Sequence, residues 1–94
     1  MFTVKEAAEI MGISPHSLRF YDKEGLLPTL SRTESRRRMF SYEDLEWVHN
    51  IQCWRATGMP LAEIRRYIEL AREGDGTIEE RYEIILKQRE RALE

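Results

Sequence analysis

Ser14-Pro15-His16-Ser17-Leu18-Arg19-Phe20-Tyr21 carries its own helix-start signal. A serine just ahead of a helix accepts a hydrogen bond from a backbone N–H that has no partner in the helix. A proline fits the first helical position because no N–H is needed there. Gly25, following Lys23-Glu24, supplies a left-handed stop. The helix between these signals has about ten residues, an ordinary length. Leu18 can anchor it in a core, and His16, Ser17, Arg19 and Tyr21 offer hydrogen-bonding groups. Such a helix can enter the major groove, read base edges and touch phosphates. The stretch reads as the recognition helix of a helix-turn-helix, with Ser14, His16, Ser17, Arg19, Phe20 and Tyr21 as the candidate DNA-contacting set. An ordinary surface helix is the competing reading, and the flanking sequence decides between them.

Upstream, Thr3 and Glu6 form the S/T-x-x-E capping box, which predicts a helix from Val4. Val4, Ala7, Ala8 and Met11 fall on one face of it, and Gly12 ends it. Gly12-Ile13-Ser14 is a short turn, with Ile13 expected in the core and Ala8 small enough for two helices to cross closely. Two short helices joined through a glycine-containing turn match the helix-turn-helix pattern.

Downstream, residues 29–40 lose helical periodicity. A two-stranded hairpin over this segment, with Thr33-Glu34-Ser35 near its tip, would form a wing beside the recognition helix. Arg32, Arg36, Arg37 and Arg38 face only Glu34 within residues 31–40. Such a run is often just a solvated surface, but here it lies next to a candidate recognition helix. The forked guanidinium suits phosphate, and phosphate contacts supply affinity and register rather than sequence reading. The overall charge of −2 looks unhelpful for DNA binding, yet its distribution is uneven. Residues 1–40 hold seven Lys/Arg and five Asp/Glu, whereas residues 41–94 hold eight and twelve.

Ser41 with Asp44 predicts the start of a longer helix, which Gly58 ends. Pro60 opens another, with Leu61, Ile64, Tyr67 and Ile68 inward, and Gly74 stops it. Asp75-Gly76 reads as a turn, and Thr77 with Glu80 as a further capping box for the last helix. In that helix Ile78, Tyr82, Ile85, Arg89 and Ala92 recur at alternating four- and three-residue steps, the coiled-coil spacing, widened by Leu86 and Leu93. Folding back on its own domain is one use for such a stripe. Pairing with a second copy is the use expected of it, because a two-fold dimer reads two half-sites of a palindrome. The expected organisation is therefore mainly α. A DNA-binding region over residues 1–74 precedes a dimerisation helix over residues 75–94, which reaches the end of the sequence without a stop signal.

Composition narrows the function classes. Ninety-four residues fit one domain with a modest core, and the 34% charged share fits helices with solvated faces. No apolar run approaches membrane-spanning length, the N-terminus leads into a helix rather than a signal peptide, and the one cysteine cannot form an intramolecular disulfide. The expected location is cytoplasmic, without membrane attachment. Metal sensing is not expected, since thiolate sites need several cysteines and His16 and His49 lack ligand-like spacing. No cofactor is implied. No acid/base pair, nucleophile elbow or phosphate loop points to an enzyme. At about 100° per residue, Leu45, Trp47, Val48, Ile51 and Trp54 gather on one side of the long helix, with Cys53 roughly opposite. An inert buried thiol is the usual role of a lone cysteine; this one points away from the apolar side.

Taken together, these residues resemble the MerR family of bacterial transcription regulators. The resemblance rests on Phe2-Thr3-Val4, Glu6-Ala7-Ala8, Gly12-Ile13-Ser14, Leu18-Arg19-Phe20-Tyr21 and Gly25-Leu26-Leu27-Pro28. It continues through Arg32, Arg38, Phe40-Ser41, Glu43-Asp44-Leu45, Gly58 and Leu61-Ala62-Glu63-Ile64, in family order and spacing. It implies a winged helix-turn-helix, a connecting helix pair and an antiparallel dimerisation helix. It also implies action on promoters whose spacer is too long for RNA polymerase, the regulator bending and untwisting that spacer when activated. Arg19 and Tyr21 match positions that contact DNA in the family, and Arg38 matches its wing arginine. Two departures stand out: Arg36-Arg37-Arg38 replaces the usual Gly-Tyr-Arg of the wing, and Phe20-Tyr21 replaces a frequent Tyr-Tyr.

The stretches Ile51-Gln52-Cys53-Trp54, Thr57-Gly58-Met59-Pro60 and Gly74-Asp75-Gly76-Thr77-Ile78 are similar to the aldehyde- and thiol-stress branch of the family. That resemblance implies an electrophile- or oxidant-sensing role for Cys53, whose reactivity would require thiolate supported by nearby positive charge such as Arg55. The principal alternative is an excisionase-like or architectural DNA-binding module without effector sensing.

Overall fold

The computed structural model describes residues 1–32 and 38–93, which form two compact units divided between Asn50 and Ile51. In the first unit, α1 spans Val4–Met11 and α2 spans Pro15–Lys23. A two-stranded antiparallel hairpin follows, β1 over Ser31–Arg32 and β2 over Arg38–Met39, with Ser31 opposite Met39 and Arg32 opposite Arg38. Helix α3, Tyr42–Ala56, begins in this unit and continues into the second.

The start signals act as the sequence predicts. Thr3 accepts from the Glu6 N–H at 3.2 Å, and the Glu6 carboxylate accepts from the Thr3 N–H at 2.9 Å. Gly12 closes α1 at φ +68°, a left-handed conformation that costs a side-chain-bearing residue far more than glycine. That reversal is what lets α2 start only four residues after α1 ends. At Ser41, the hydroxyl accepts from the Asp44 N–H at 3.1 Å while the Asp44 carboxylate accepts from the Ser41 N–H at 2.8 Å.

Ala7, Leu18, Leu26, Phe40 and Val48 are completely buried and form the centre of this unit. Burying a leucine- or phenylalanine-sized side chain contributes roughly 1.5–3 kcal/mol. Ile13, expected in the core, is half-buried. Phe2 and Phe40 exchange backbone hydrogen bonds of 2.7 Å in both directions, pinning the residue before the α1 cap to the end of β2.

In the second unit, α4 covers Leu61–Glu73 and α5 covers Ile78–Leu93, joined by a 3-10 turn over Asp75–Thr77. Ile64, Ile68 and Leu70 are buried, and Trp54 meets Tyr67 edge-on with ring centroids 5.0 Å apart. The expected capping box of Thr77 with Glu80 does not form. The Thr77 hydroxyl instead lies 2.7 Å from the carbonyls of both Leu70 and Gly74 and accepts from Arg81 Nε at 3.1 Å, while Glu80 meets Arg66. The last turn of α4 leaves carbonyls unpaired, and at 7% exposure Thr77 is better placed to satisfy those than to cap α5.

Gln88, only 5% exposed, donates to the Thr57 carbonyl at 3.1 Å and to the Thr57 hydroxyl, and accepts from Arg91 at 2.7 Å. Arg91 also grips both carboxylate oxygens of Glu63 at 3.2 Å. One side of α5 is thereby fastened to the turn between α3 and α4.

Candidate nucleic-acid interface

Helix α2 is fixed at its start by Ser14, which adopts extended backbone and accepts from the Ser17 N–H at 3.1 Å. The two hydroxyls of Ser14 and Ser17 also lie 3.1 Å apart. From this end the helix presents two different sides. Leu18 and Tyr21 turn inward, at 0% and 5% exposure, whereas His16, Arg19 and Lys23 are exposed and Phe20 is half-buried. Tyr21, placed by sequence reasoning with the DNA-facing groups, thus sits in the core beside Phe20, ring centroids 6.2 Å apart. Its hydrophobic ring outweighs its single hydroxyl at a position three residues from Leu18, on the same side of the helix.

Arg38 on β2 pairs through Nε with Asp22 on α2, joining the hairpin to the candidate recognition helix. The cleft there, about 450 Å³, is lined by His16, Arg19, Phe20, Asp22, Lys23 and Arg38. Arg19, Lys23 and Arg38 share this cleft with the one carboxylate of Asp22, an excess of positive charge suited to an anionic backbone. Of the residues lining the cleft, His16, Arg19, Phe20 and Arg38 belong to the set expected from the sequence, whereas Asp22 and Lys23 do not, although the i+4 spacing of Lys23 from Arg19 is legible in the chain. Arg32 contributes its backbone to β1, and Arg36 and Arg37 lie outside the described residues. Behind the hairpin, the fully buried Asp44 accepts from the Thr29 hydroxyl as well as from Ser41, tying the segment before β1 to the start of α3.

Cys53 is exposed on α3. Its carbonyl accepts from both the backbone N–H and the hydroxyl of Thr57, at 3.2 and 3.1 Å, and Thr57 is the residue that Gln88 of α5 grasps. Arg55 is exposed too, but two residues along a helix is about 200° around it, an unfavourable placement for supporting a Cys53 thiolate.

Along α5, Ile78, Tyr82, Leu86 and Leu93 are exposed at 55%, 61%, 37% and 78%. Arg89 and Ala92 are exposed alongside them, and Ile85 is half-buried. Tyr67, Ile78, Arg81, Tyr82 and Ile85 line an open groove of about 210 Å³. Among the described residues no helix is long and apolar enough to cross a membrane, and no group of three or more His, Cys, Asp or Glu could hold a metal ion.

Two short helices meeting at a tight turn, with a hairpin salt-bridged to the second, define a winged helix-turn-helix protein. The family model for the MerR HTH family regulatory protein matches residues 2–71. The chain belongs to the MerR family of DNA-binding transcription regulators.

An HTH-type transcriptional regulator of Haemophilus influenzae is 48% identical over 87 residues, covering 93% of this chain and 64% of its own length. The HTH-type transcriptional regulator AdhR of Bacillus subtilis is 33% identical over 91 residues, covering 97% and 65%. The chain therefore spans slightly less than two thirds of these curated relatives. Among solved structures, HiNmlR, a MerR family regulator lacking the sensor domain and bound to promoter DNA, superimposes with a TM-score of 0.86 at 47% identity. That match covers 96% of this chain and 68% of HiNmlR. A MerR family regulator from Listeria monocytogenes reaches a TM-score of 0.92 at 37% identity, over 98% of this chain and 70% of that one.

Proposed function

We propose that this regulator acts as a cytoplasmic homodimer on palindromic promoter DNA, and is not an enzyme. Residues 1–74 bind the half-site and residues 75–94 pair with a second copy. On activation the dimer bends and untwists an overlong spacer so that RNA polymerase engages both promoter elements. The observation that carries the reading is the exposed His16–Arg19–Lys23 face of α2, set across an open cleft from Arg38. Base edges are met by the helix, and phosphates by the hairpin arginines and Lys23. The exposed apolar stripe on α5, on a helix whose other side Gln88 and Arg91 already fasten, supplies the second copy's docking surface.

Cys53 is the sensing residue for aldehydes or other thiol-reactive electrophiles. Two features support this: its exposure, and its position one turn ahead of Thr57, where α5 is attached. An adduct at Cys53 adds bulk beside that attachment point, so the angle of α5 is the property a modified thiol can change.

Gel shift with the DNA upstream of the protein's own gene, against a large excess of scrambled duplex, tests the reading. Retention of the complex is expected, with Arg19→Ala weakening it while leaving the helical content intact. Cys53→Ala should keep operator binding and lose electrophile-dependent transcription; a fully inducible variant removes Cys53 from the mechanism. Selection of tandem rather than palindromic sites would move the assignment to an excisionase-like architectural module.

A further inference from the structure

We propose that Asp22 is a positioning residue for DNA contact: it holds Arg38 so that the terminal guanidinium nitrogens face a phosphate. The inference rests on the reading of Arg38 as a phosphate-binding residue. Asp22 lies in the last turn of α2 with its side chain 11% exposed, and Arg38 begins β2 with its side chain 31% exposed. The contact is made through Arg38 Nε, and among the described residues the two terminal nitrogens of Arg38 carry no further partner. A guanidinium is planar, with five donors in fixed directions, so holding one edge determines where the others point. Here the free end belongs to a side chain lining the same open cleft as His16, Arg19 and Lys23.

The sign of the effect separates this role from simple electrostatics. A carboxylate in a phosphate-binding cleft repels DNA, so on charge alone its removal tightens binding. If Asp22 orders Arg38, its removal weakens binding, because the arginine must then be ordered by the DNA itself. Ordering one long side chain at an interface corresponds to a loss of about 3- to 10-fold in affinity.

The test uses the full chain and a fluorescein-labelled random-sequence duplex at low salt, since phosphate contacts do not depend on sequence. Affinity and its salt dependence are measured by anisotropy for wild type, Asp22→Ala, Arg38→Ala and the double variant, with circular dichroism as the check on folding. Asp22→Ala is expected to weaken binding 3- to 10-fold in the wild type and to weaken it no longer once Arg38 is alanine, where only the repulsion of the carboxylate is left to remove and binding tightens slightly. Arg38→Ala should lower the salt slope by about 0.9, one phosphate contact. Asp22→Asn keeps the shape and an accepting oxygen, and serves if the alanine variant fails to fold. It should bind with intermediate affinity. Unchanged or tighter binding by the folded Asp22 variant, with Arg38→Ala still weakened, overturns the positioning role. An unaffected Arg38→Ala instead overturns the phosphate reading on which that role depends.

Discussion

Replacing Asp44 with alanine tests whether the wing is held from behind by a buried carboxylate. Asp44 is 0% exposed and accepts from the Ser41 N–H at 2.8 Å and from the Thr29 hydroxyl. Alanine leaves both donors without that partner, each loss costing about 1–3 kcal/mol where water cannot substitute. It also removes a negative charge from the first turn of α3, which contributes about 0.3–1 kcal/mol there. Three effects pull the total down. Thr29 is exposed, Ser41 is half-buried so that solvent recovers part of the loss, and the desolvated carboxylate is no longer a burden. The expected net destabilisation is about 2–3 kcal/mol, or roughly 10–20 °C in melting temperature for a chain of this size. Urea unfolding followed by circular dichroism reads the free energy directly. Thr29→Val, in combination, should show a coupling to Asp44 of at least about 0.5 kcal/mol. A change no larger than the ±0.5 kcal/mol of a surface substitution, or strict additivity of the pair, refutes the account.

The Thr3 N–H and then the Thr3 hydroxyl hold the Glu6 carboxyl below its ordinary value of 4.5. Folding therefore favours the charged form. The cap contributes fully above the unfolded value and is lost as pH falls through the lower folded one, so the Thr3 amide resonance should shift in that acid range. Glu6→Gln should abolish that shift, and a flat titration in the wild type counts against the cap. Gln88→Ala should destabilise the second unit by about 2 kcal/mol, because it deprives the Thr57 carbonyl and Arg91 of a 5%-exposed partner. An unchanged denaturation midpoint would show the network to be dispensable. Tyr82→Arg, at a 61%-exposed position, should leave the fold intact and shift sedimentation from dimer to monomer; a persistent dimer would place the pairing surface elsewhere.

Much of the architecture is legible in the chain because its punctuation is local. Thr3 with Glu6, Ser14 with Pro15, and Ser41 with Asp44 each declare a helix start within four residues, and Gly12 marks its stop by a conformation other residues avoid. The same local rule misleads at Thr77, where the competing acceptors, the carbonyls of Leu70 and Gly74, belong to the last turn of the preceding helix and to its cap. Tyr21 is harder to place, because its two ends suggest opposite environments, and the structure buries its ring. The pairing of Asp22 with Arg38 and the burial of Gln88 were invisible for another reason. Each joins residues 16 or more positions apart, and no periodicity within a single helix announces a partner elsewhere. Cys53 could be placed on the open side of α3 from periodicity alone, whereas its link to α5 through Thr57 required the fold.

The backbone exchange between Phe2 and Phe40 has a mechanical consequence. It closes everything between these residues, both helices of the DNA-reading motif and the hairpin, into one circuit. Forming that circuit restricts a loop of nearly forty residues, an entropy cost on the order of 3 kcal/mol that only the assembled core offsets. The wing root is thus tied to assembly of the core rather than to a local hairpin equilibrium. Because Phe2 bonds Phe40 directly, a pull on the N-terminus loads the end of β2 as well as α1, and so couples the start of the chain to the strand that carries Arg38.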